Sequence, residues 1–267
     1  MAPIETVAEV YPRIPARGTP LGLRVDRLVA AQGLSAQGLA AQPGGDGRAG
    51  GDSPAGDLEQ QARAVFQAMR ELVERSGGGL ENVAKATAYV TAEEHREPVN
   101  GRWWEELFPD PMNKPAYKVI LAPLPPGRLI ELDVLAVLGA TRRRIDLPGV
   151  PARDPTVEIG GLLFTSRIHP TLPFAEGEIA AGGVKEQARQ AFTNALGLLS
   201  LAGGKPADIV QFTSFGRAPG YAEATAAALA EVFPDGESRP RLNALTNFIP
   251  AKFDVMIEMA ATIGGPA

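Results

Sequence analysis

Short blocks of this chain occur twice, in the same order and at nearly constant spacing, and that constrains the fold more than any other feature. Gln61-Ala62-Arg63 returns as Gln187-Ala188-Arg189, an offset of 126, and a phenylalanine follows three residues on in each copy, Phe66 and Phe192. Val83 and Thr87 return at the same offset as Ile209 and Thr213. Phe108-Pro109-Asp110 returns as Phe233-Pro234-Asp235 at offset 125, and Ile130-Glu131 as Ile257-Glu258 at offset 127. The chain therefore reads as a duplicated module of about 125 residues, copy one over 1–140 and copy two over 141–267, joined near Thr141-Arg142-Arg143-Arg144. Its 267 residues are about twice the length of a common domain, as two such modules require.

Each copy follows the same plan. Apolar, β-rich segments open it, over 21–33 and 157–166. A long amphipathic helix is expected over 58–76 and again over 184–202. In the first of these Ala62, Val65, Phe66, Met69, Leu72 and Val73 recur at helical spacing. Gly77-Gly78-Gly79 and Gly203-Gly204 stop the two helices. A strand follows, over 83–90 and 209–215, then a second helix, over 99–107 and 222–232. Two closing strands finish each copy, joined through Pro123-Leu124-Pro125-Pro126-Gly127 and Pro250-Ala251-Lys252 and read as hairpins. The class is α+β: in each module a mostly antiparallel sheet with two helices packed on one face. The stretch 42–57 holds six glycines and two prolines and reads as a surface loop. No Gly-Lys-Ser/Thr follows Gly44-Gly45-Asp46-Gly47, so a phosphate cradle there is disfavoured.

Composition removes whole classes of function. Hydrophobic residues are 45% and charged residues 21% of the chain, enough apolar matter for a core in each module. The net charge of −5 argues against a nucleic-acid or membrane-surface partner. No apolar run is long enough to cross a bilayer, and Met1-Ala2-Pro3-Ile4-Glu5 lacks the features of a secretory signal, so the expected location is cytoplasmic. There is no cysteine, hence no disulfide, thiolate nucleophile or Cys-bound zinc. The two histidines, His95 and His169, are too few for a His-rich metal centre.

The order of elements, together with the Gln-Ala-Arg helix, Pro98-Val99-Asn100, the Phe-Pro-Asp segments and the closing Ile-Glu strands, resembles the RidA (reactive intermediate deaminase) family over both halves. The resemblance implies small α+β modules of the chorismate mutase-like kind that assemble in threes, with ligand sites between neighbouring modules. It also implies cofactor-free hydrolysis of small carboxylate-bearing enamines and imines to 2-oxo acids and ammonia. An arginine on the first closing strand would fork around the substrate carboxylate. A backbone N–H of a Ser-Gly-Gln segment would help hold the ligand, and a glutamate on the last strand would handle the proton of the attacking water.

Carried onto this chain, the pattern splits. Copy one keeps a glycine, Gly33, in Gln32-Gly33-Leu34, and also Asn100 and Glu131, but has Pro115-Ala116-Tyr117-Lys118 where the arginine belongs. Copy two has Arg241 in Pro240-Arg241-Leu242 and a strand glutamate, Glu258, but reads Ser166-Arg167-Ile168 at the glycine and Thr225 near the asparagine. Arg241, Glu258 and Glu131 are the catalytic candidates; Gly33, Asn100, Arg167 and His169 are the substrate-binding ones. Each has a structural alternative. Arg241 and Glu258 could form a strand-to-strand ion pair, Glu131 without an arginine partner could buttress the sheet, Gly33 could mark a tight backbone position, and Asn100 could cap a helix. Arg167 adds a cation that suits an acidic substrate, and His169 could act as acid or base. Lys118, Tyr117 and Asn243 could line a pocket, His95 reads as solvated, and Trp103-Trp104 as packing. Neither copy is complete, which leaves three readings open. They are a deaminase-type hydrolase with copy two carrying the active cleft, a non-catalytic metabolite binder or docking protein, and an enzyme acting like a chorismatase on an acidic enol ether. A homotrimer of two-module chains is expected, with no cofactor and no metal.

Overall fold

The structure, a computed structural model, describes residues 22–36, 57–150, 155–246 and 249–264. It clusters into two compact units that divide at Thr141–Arg142, with the short segment Met112–Ala116 grouped with the second. The glycine-rich stretch before Asp57 lies outside the described residues.

Module one contains β1 (Leu23–Val25), β2 (Leu28–Leu34), helix α1 (Leu58–Arg75), β3 (Val83–Val90), short helix α2 (Trp104–Leu107), β4 (Ala116–Leu121) and β5 (Ile130–Val137). The sheet order is β1-β2-β5-β3-β4. α1 forms where the 3.6-residue apolar repeat predicts it. Asp57 caps it by accepting the Gln60 N–H, and Gly77 ends it at φ +90°, a conformation glycine adopts without cost. All six apolar positions read from the sequence are buried. The second helix is less regular than expected: Pro98–Trp103 is a π-helical turn that only tightens to α at Trp104. Proline at the start of that turn supplies no amide hydrogen to the helical pattern.

Module two contains β6 (Arg143–Ile145), β7 (Thr156–Ile159), β8 (Leu162–Phe164), helix α3 (Gly183–Leu201), β9 (Ile209–Gly216), helix α4 (Tyr221–Val232), β10 (Arg241–Thr246) and β11 (Val255–Thr262). Its sheet order is β10-β9-β11-β8-β7-β6. The arginine-rich junction is thus a strand, β6, paired antiparallel with β7.

The closing strands are not hairpins, contrary to the expectation. On leaving β4 the chain crosses over β3, so that β5 lies between β2 and β3, antiparallel to both. β11 likewise lies between β9 and β8, and β10 pairs parallel with β9. The proline-rich connections are crossovers that carry β5 and β11 to central positions, where both edges are hydrogen-bonded and the core face meets the helix. On β5, Ile130, Leu132, Val134 and Ala136 go to the core with α1, so Glu131 and Asp133 share the opposite face. On β11, Val255, Ile257, Met259 and Ala261 are core residues, leaving Met256 and Glu258 on the opposite face.

The Gln-Ala-Arg repeat has a structural purpose. The Gln61 carboxamide accepts the Leu129 N–H at 2.9 Å and donates to the Gly127 carbonyl at 3.0 Å; Gln187 accepts the Asp254 N–H at 2.8 Å. Each glutamine, buried in the helix, ties it to the backbone entering the central strand.

Candidate functional site

The central strands carry the site. In module one β2 departs from regular pairing between Ala31 and Leu34, and Gly33 sits in that irregularity at φ +66°. The departure turns the Gly33 N–H toward β5, where it donates to Asp133 Oδ1 at 2.8 Å. Asp133 Oδ2 accepts the Tyr89 hydroxyl at 2.9 Å. Glu131, one step along the same face, is bonded by the Arg128 guanidinium, Nη1 to Oε1 at 2.5 Å, and its side chain is 16% exposed. Its other oxygen, Oε2, lies 3.7 Å from where a Gly33 side chain would begin. Glu131 therefore does have an arginine partner, from the turn before its own strand rather than from β4, which corrects the reading of an unpartnered glutamate. The structure brings Gly33 and Glu131 together. Asn100 lies in the π-helical turn, and among the described residues no hydrogen bond joins it to either. Tyr117 points into the core, 1% exposed and stacked on Trp104 at 3.7 Å with 9° between the rings. His95 is half-buried rather than solvated, with Nδ1 3.2 Å from Thr91 Oγ1.

Strand register identifies the counterparts in module two. Thr87 faces Asp133, and Thr213 faces Glu258; Tyr89 faces Glu131, and Phe215 faces Met256. Leu34 pairs with Leu132, and Ile168 with Ile257, so Gly33 corresponds to Arg167. The glutamine bonds to Leu129 and Asp254 obey the same shift. From β5 onward the offset is 125 and not 127. Glu258 is the counterpart of Asp133, and the counterpart of Glu131 is Met256. The Ile-Glu match in the sequence is a slip of two residues, which a strand tolerates because every second side chain shares a face.

Module two consequently has a different character at the same place. Glu258 is buried, 4% exposed, on the same face as Met256. The Arg167 guanidinium lies over the Phe215 ring, 5.3 Å from its centre, and Arg167 lacks the positive φ of Gly33. The His169 ring stacks on Phe253 at 4.5 Å and 30°. Burial, and then the charges of Lys252 and Arg167, push the His169 pKa down to about 4. Arg241 is exposed at the start of β10 opposite Gln211, and Asn243 stands opposite Thr213. One strand, β9, lies between those that carry Arg241 and Glu258, and among the described residues Arg241 makes no ion pair.

Arg128, Tyr89, Asp133, Lys252 and Phe253 were missed in the sequence. Period-two alternation would have placed Asp133 beside Glu131. The offset of 125 at Phe-Pro-Asp, carried forward, would have found the true register. Nothing local distinguishes Arg128 or Lys252 from solvated cations in a turn. Among the described residues no group of three or more His, Cys, Asp or Glu side chains is placed to hold a metal, and no helix is long and apolar enough to cross a membrane.

Solved structures similar to this chain include TdcF of E. coli with bound serine, 24% identical over 46% of this chain and 99% of that one, TM-score 0.41. The Rid-family protein YyfA of Yersinia pestis is 22% identical over 46% of this chain and 100% of that one, TM-score 0.42. Yeast Mmf1 is 19% identical over 46% and 100%, TM-score 0.41. The profile of the family described as Endoribonuclease L-PSP matches twice, over residues 32–138 and 153–263, one match in each module. The chain thus belongs to the endoribonuclease L-PSP (RidA) family, as a tandem pair of its modules.

Proposed function

We propose that this protein is a cofactor-free, deaminase-type hydrolase acting on a small carboxylate-bearing enamine or imine. The observation that supports it most is the half-buried Glu131 carboxylate, with one oxygen bonded by Arg128 and the other directed at the bare Cα of Gly33. A carboxylate so placed accepts a proton from water while the water oxygen adds to the imine carbon. It returns that proton to nitrogen to give the carbinolamine, then carries the hydroxyl proton to nitrogen as the C–N bond breaks and the C=O bond forms, and the products are a 2-oxo acid and ammonia. Arg128 spends one of its five donors on Glu131 and offers others to the substrate carboxylate, replacing the arginine absent from β4. Gly33 leaves the space the substrate needs, and Asn100 is the candidate contact offered by the π-helical turn.

A second reading concerns module two. Met256 in the register of Glu131 favours binding without turnover there, with Arg241 as carboxylate anchor, Arg167 and His169 as further contacts and Glu258 as the buried acid beneath them. Should module two turn over, Arg241 and Glu258 are the groups it would use. Family members are commonly homotrimers, and a trimer holding six modules is the assembly proposed for this chain; sedimentation as a single chain would contradict it.

The test is ammonia release from enzymatically generated 2-aminoacrylate and a few bulkier imines. Release by the wild type that is lost in Glu131→Gln and kept in Arg241→Ala supports hydrolysis in module one. Loss in Arg241→Ala alone moves the chemistry to module two. No release from the folded wild type overturns the proposal.

A further inference from the structure

The sheet of module one carries an extra residue that its ladder does not serve. Ala31 pairs with Val134 and Leu34 with Leu132, three steps along β2 against two along β5, so Gln32 and Gly33 together stand opposite Asp133. The ladder pairs neither of them, and a backbone N–H in that position needs another acceptor. Asp133 supplies it: Oδ1 accepts the Gly33 N–H at 2.8 Å, and Oδ2 accepts the Tyr89 hydroxyl at 2.9 Å. Tyr89 sits directly across from Glu131, and its hydroxyl reaches Asp133 along the diagonal. Among the described residues no lysine or arginine pairs with Asp133, whereas Glu131 is bonded by Arg128. The two carboxylates of this face are therefore held by different means. A cation holds Glu131, and two neutral donors hold Asp133, one of them the backbone of the bulge.

That backbone borders Glu131. Glycine adopts positive φ about as readily as negative, so nothing in Gly33 itself keeps it at +66°. At that angle a side chain on Gly33 would meet only Glu131 Oε2, at 3.7 Å. Released from Asp133, the glycine samples other conformations, and the space before Glu131 changes shape with each. Module two is an internal control. Its counterparts of Gly33, Asp133 and Tyr89 are Arg167, Glu258 and Phe215. Arg167 lacks the positive φ, Glu258 is a longer acid, and Phe215 has no hydroxyl to donate. All three are replaced in the module that has Met256 in place of Glu131.

We propose that Asp133 is a positioning residue: it holds Gly33 in its left-handed conformation and so keeps open the space before Glu131, with Tyr89 orienting the carboxylate. The Gly33 N–H, expected as a ligand donor, is spent within the chain, and Asp133 does not touch the substrate. The kinetic consequence rests on the hydrolysis proposed above; the hold on Gly33 does not.

The test joins amide exchange to kinetics in the full-length protein labelled with 15N-glycine, the Gly33 signal being assigned by Gly33→Ala. Gly77, whose N–H bonds the Glu74 carbonyl at 3.0 Å at the end of α1, is the reference. In Asp133→Ala the Gly33 amide is expected to exchange about tenfold faster or more, with Gly77 unchanged. For ammonia release, kcat falls about ten- to hundredfold while KM moves less than about threefold. Asp133→Asn keeps an acceptor for the Gly33 N–H and restores both readouts to within about threefold of wild type. Tyr89→Phe removes only the orienting hydroxyl and gives a smaller shift in the same direction; it carries the test should Asp133→Ala not fold. Four results overturn the proposal: unchanged Gly33 exchange, equal acceleration at Gly77, a raised KM with kcat kept, or Asp133→Asn as impaired as Asp133→Ala. A folded wild type that releases no ammonia overturns the hydrolysis and leaves the exchange data to decide the hold on Gly33.

Discussion

The two modules share a strand register down to the irregularity before their central strands, yet place opposite chemistry there. At the position of Gly33, whose N–H bonds Asp133 at 2.8 Å, module two has Arg167; at that of Glu131 it has Met256; at that of Arg128, Phe253. Module one presents a positioned carboxylate, module two a neutral imidazole among cations. The buried glutamines and the helix faces have not diverged in this way: Gln61 and Gln187 make the same tie, and Phe66 and Phe192 are both buried. A duplicated fold keeps what its core and buried hydrogen bonds demand. The face opposite the helices answers only to what it binds, and it is free to differ.

The sharpest way to break this contrast is to remove the carboxylate. Glu131→Gln is expected to cut ammonia release by about 10²–10⁴, whereas Glu258→Gln, at the Asp133 position, is expected to change it less than about tenfold. A larger loss from Glu258→Gln would place catalysis in module two.

A second prediction concerns pH. His169 titrates near 4 in the folded protein against an ordinary value of 6.5. Between those values the unfolded chain carries the extra proton, so stability is lost as pH falls from 6.5 toward 4. The loss attributable to this residue is about 3 kcal/mol, and it is absent in His169→Gln. Denaturant unfolding at pH 7 and pH 4 measures it; parallel pH dependence in the two proteins would refute the neutral buried ring.

Replacing Gln61 by alanine strands the Leu129 N–H and the Gly127 carbonyl, at an expected cost of about 1–3 kcal/mol, and Gln187→Ala should behave alike through Asp254. Chemical denaturation of both variants tests whether the modules remain equivalent in this part of the core. The smallest effect expected is that of Gly33→Ala. A Cβ there meets only Glu131 Oε2 at 3.7 Å, so the cost comes from holding φ at +66°, roughly 1 kcal/mol. Activity should suffer more than stability, because the methyl enters the space beside Glu131. A variant with full turnover would show that the space is not used.

Much of the fold was legible because it rests on periodicity. The apolar repeat of α1 and the duplicated order of blocks are local properties of the chain, and the buried positions Ala62 to Val73 follow from them. Strand order was not legible: a proline-rich connection looks the same whether it turns a hairpin or crosses a strand, and the difference lies in which strand profits from a central place. Of the candidate site, Gly33 and Glu131 were named through the family resemblance, and the structure places them near one another. Arg128 and Lys252 did not stand out, since an exposed-looking cation in a turn acquires meaning only from its neighbours.

What the sequence determined by itself is that this chain is two copies of one α+β module, because core burial at helical and strand periods and the ordered repeats are written along it. Only the tertiary structure decided that Glu258 answers to Asp133, that Met256 takes the place of Glu131, and that Lys252 and His169 share one phenyl ring. A two-residue slip keeps every side chain on the same face of a strand, so the alternation of faces does not detect it; the hydrogen-bonded partner across the sheet does.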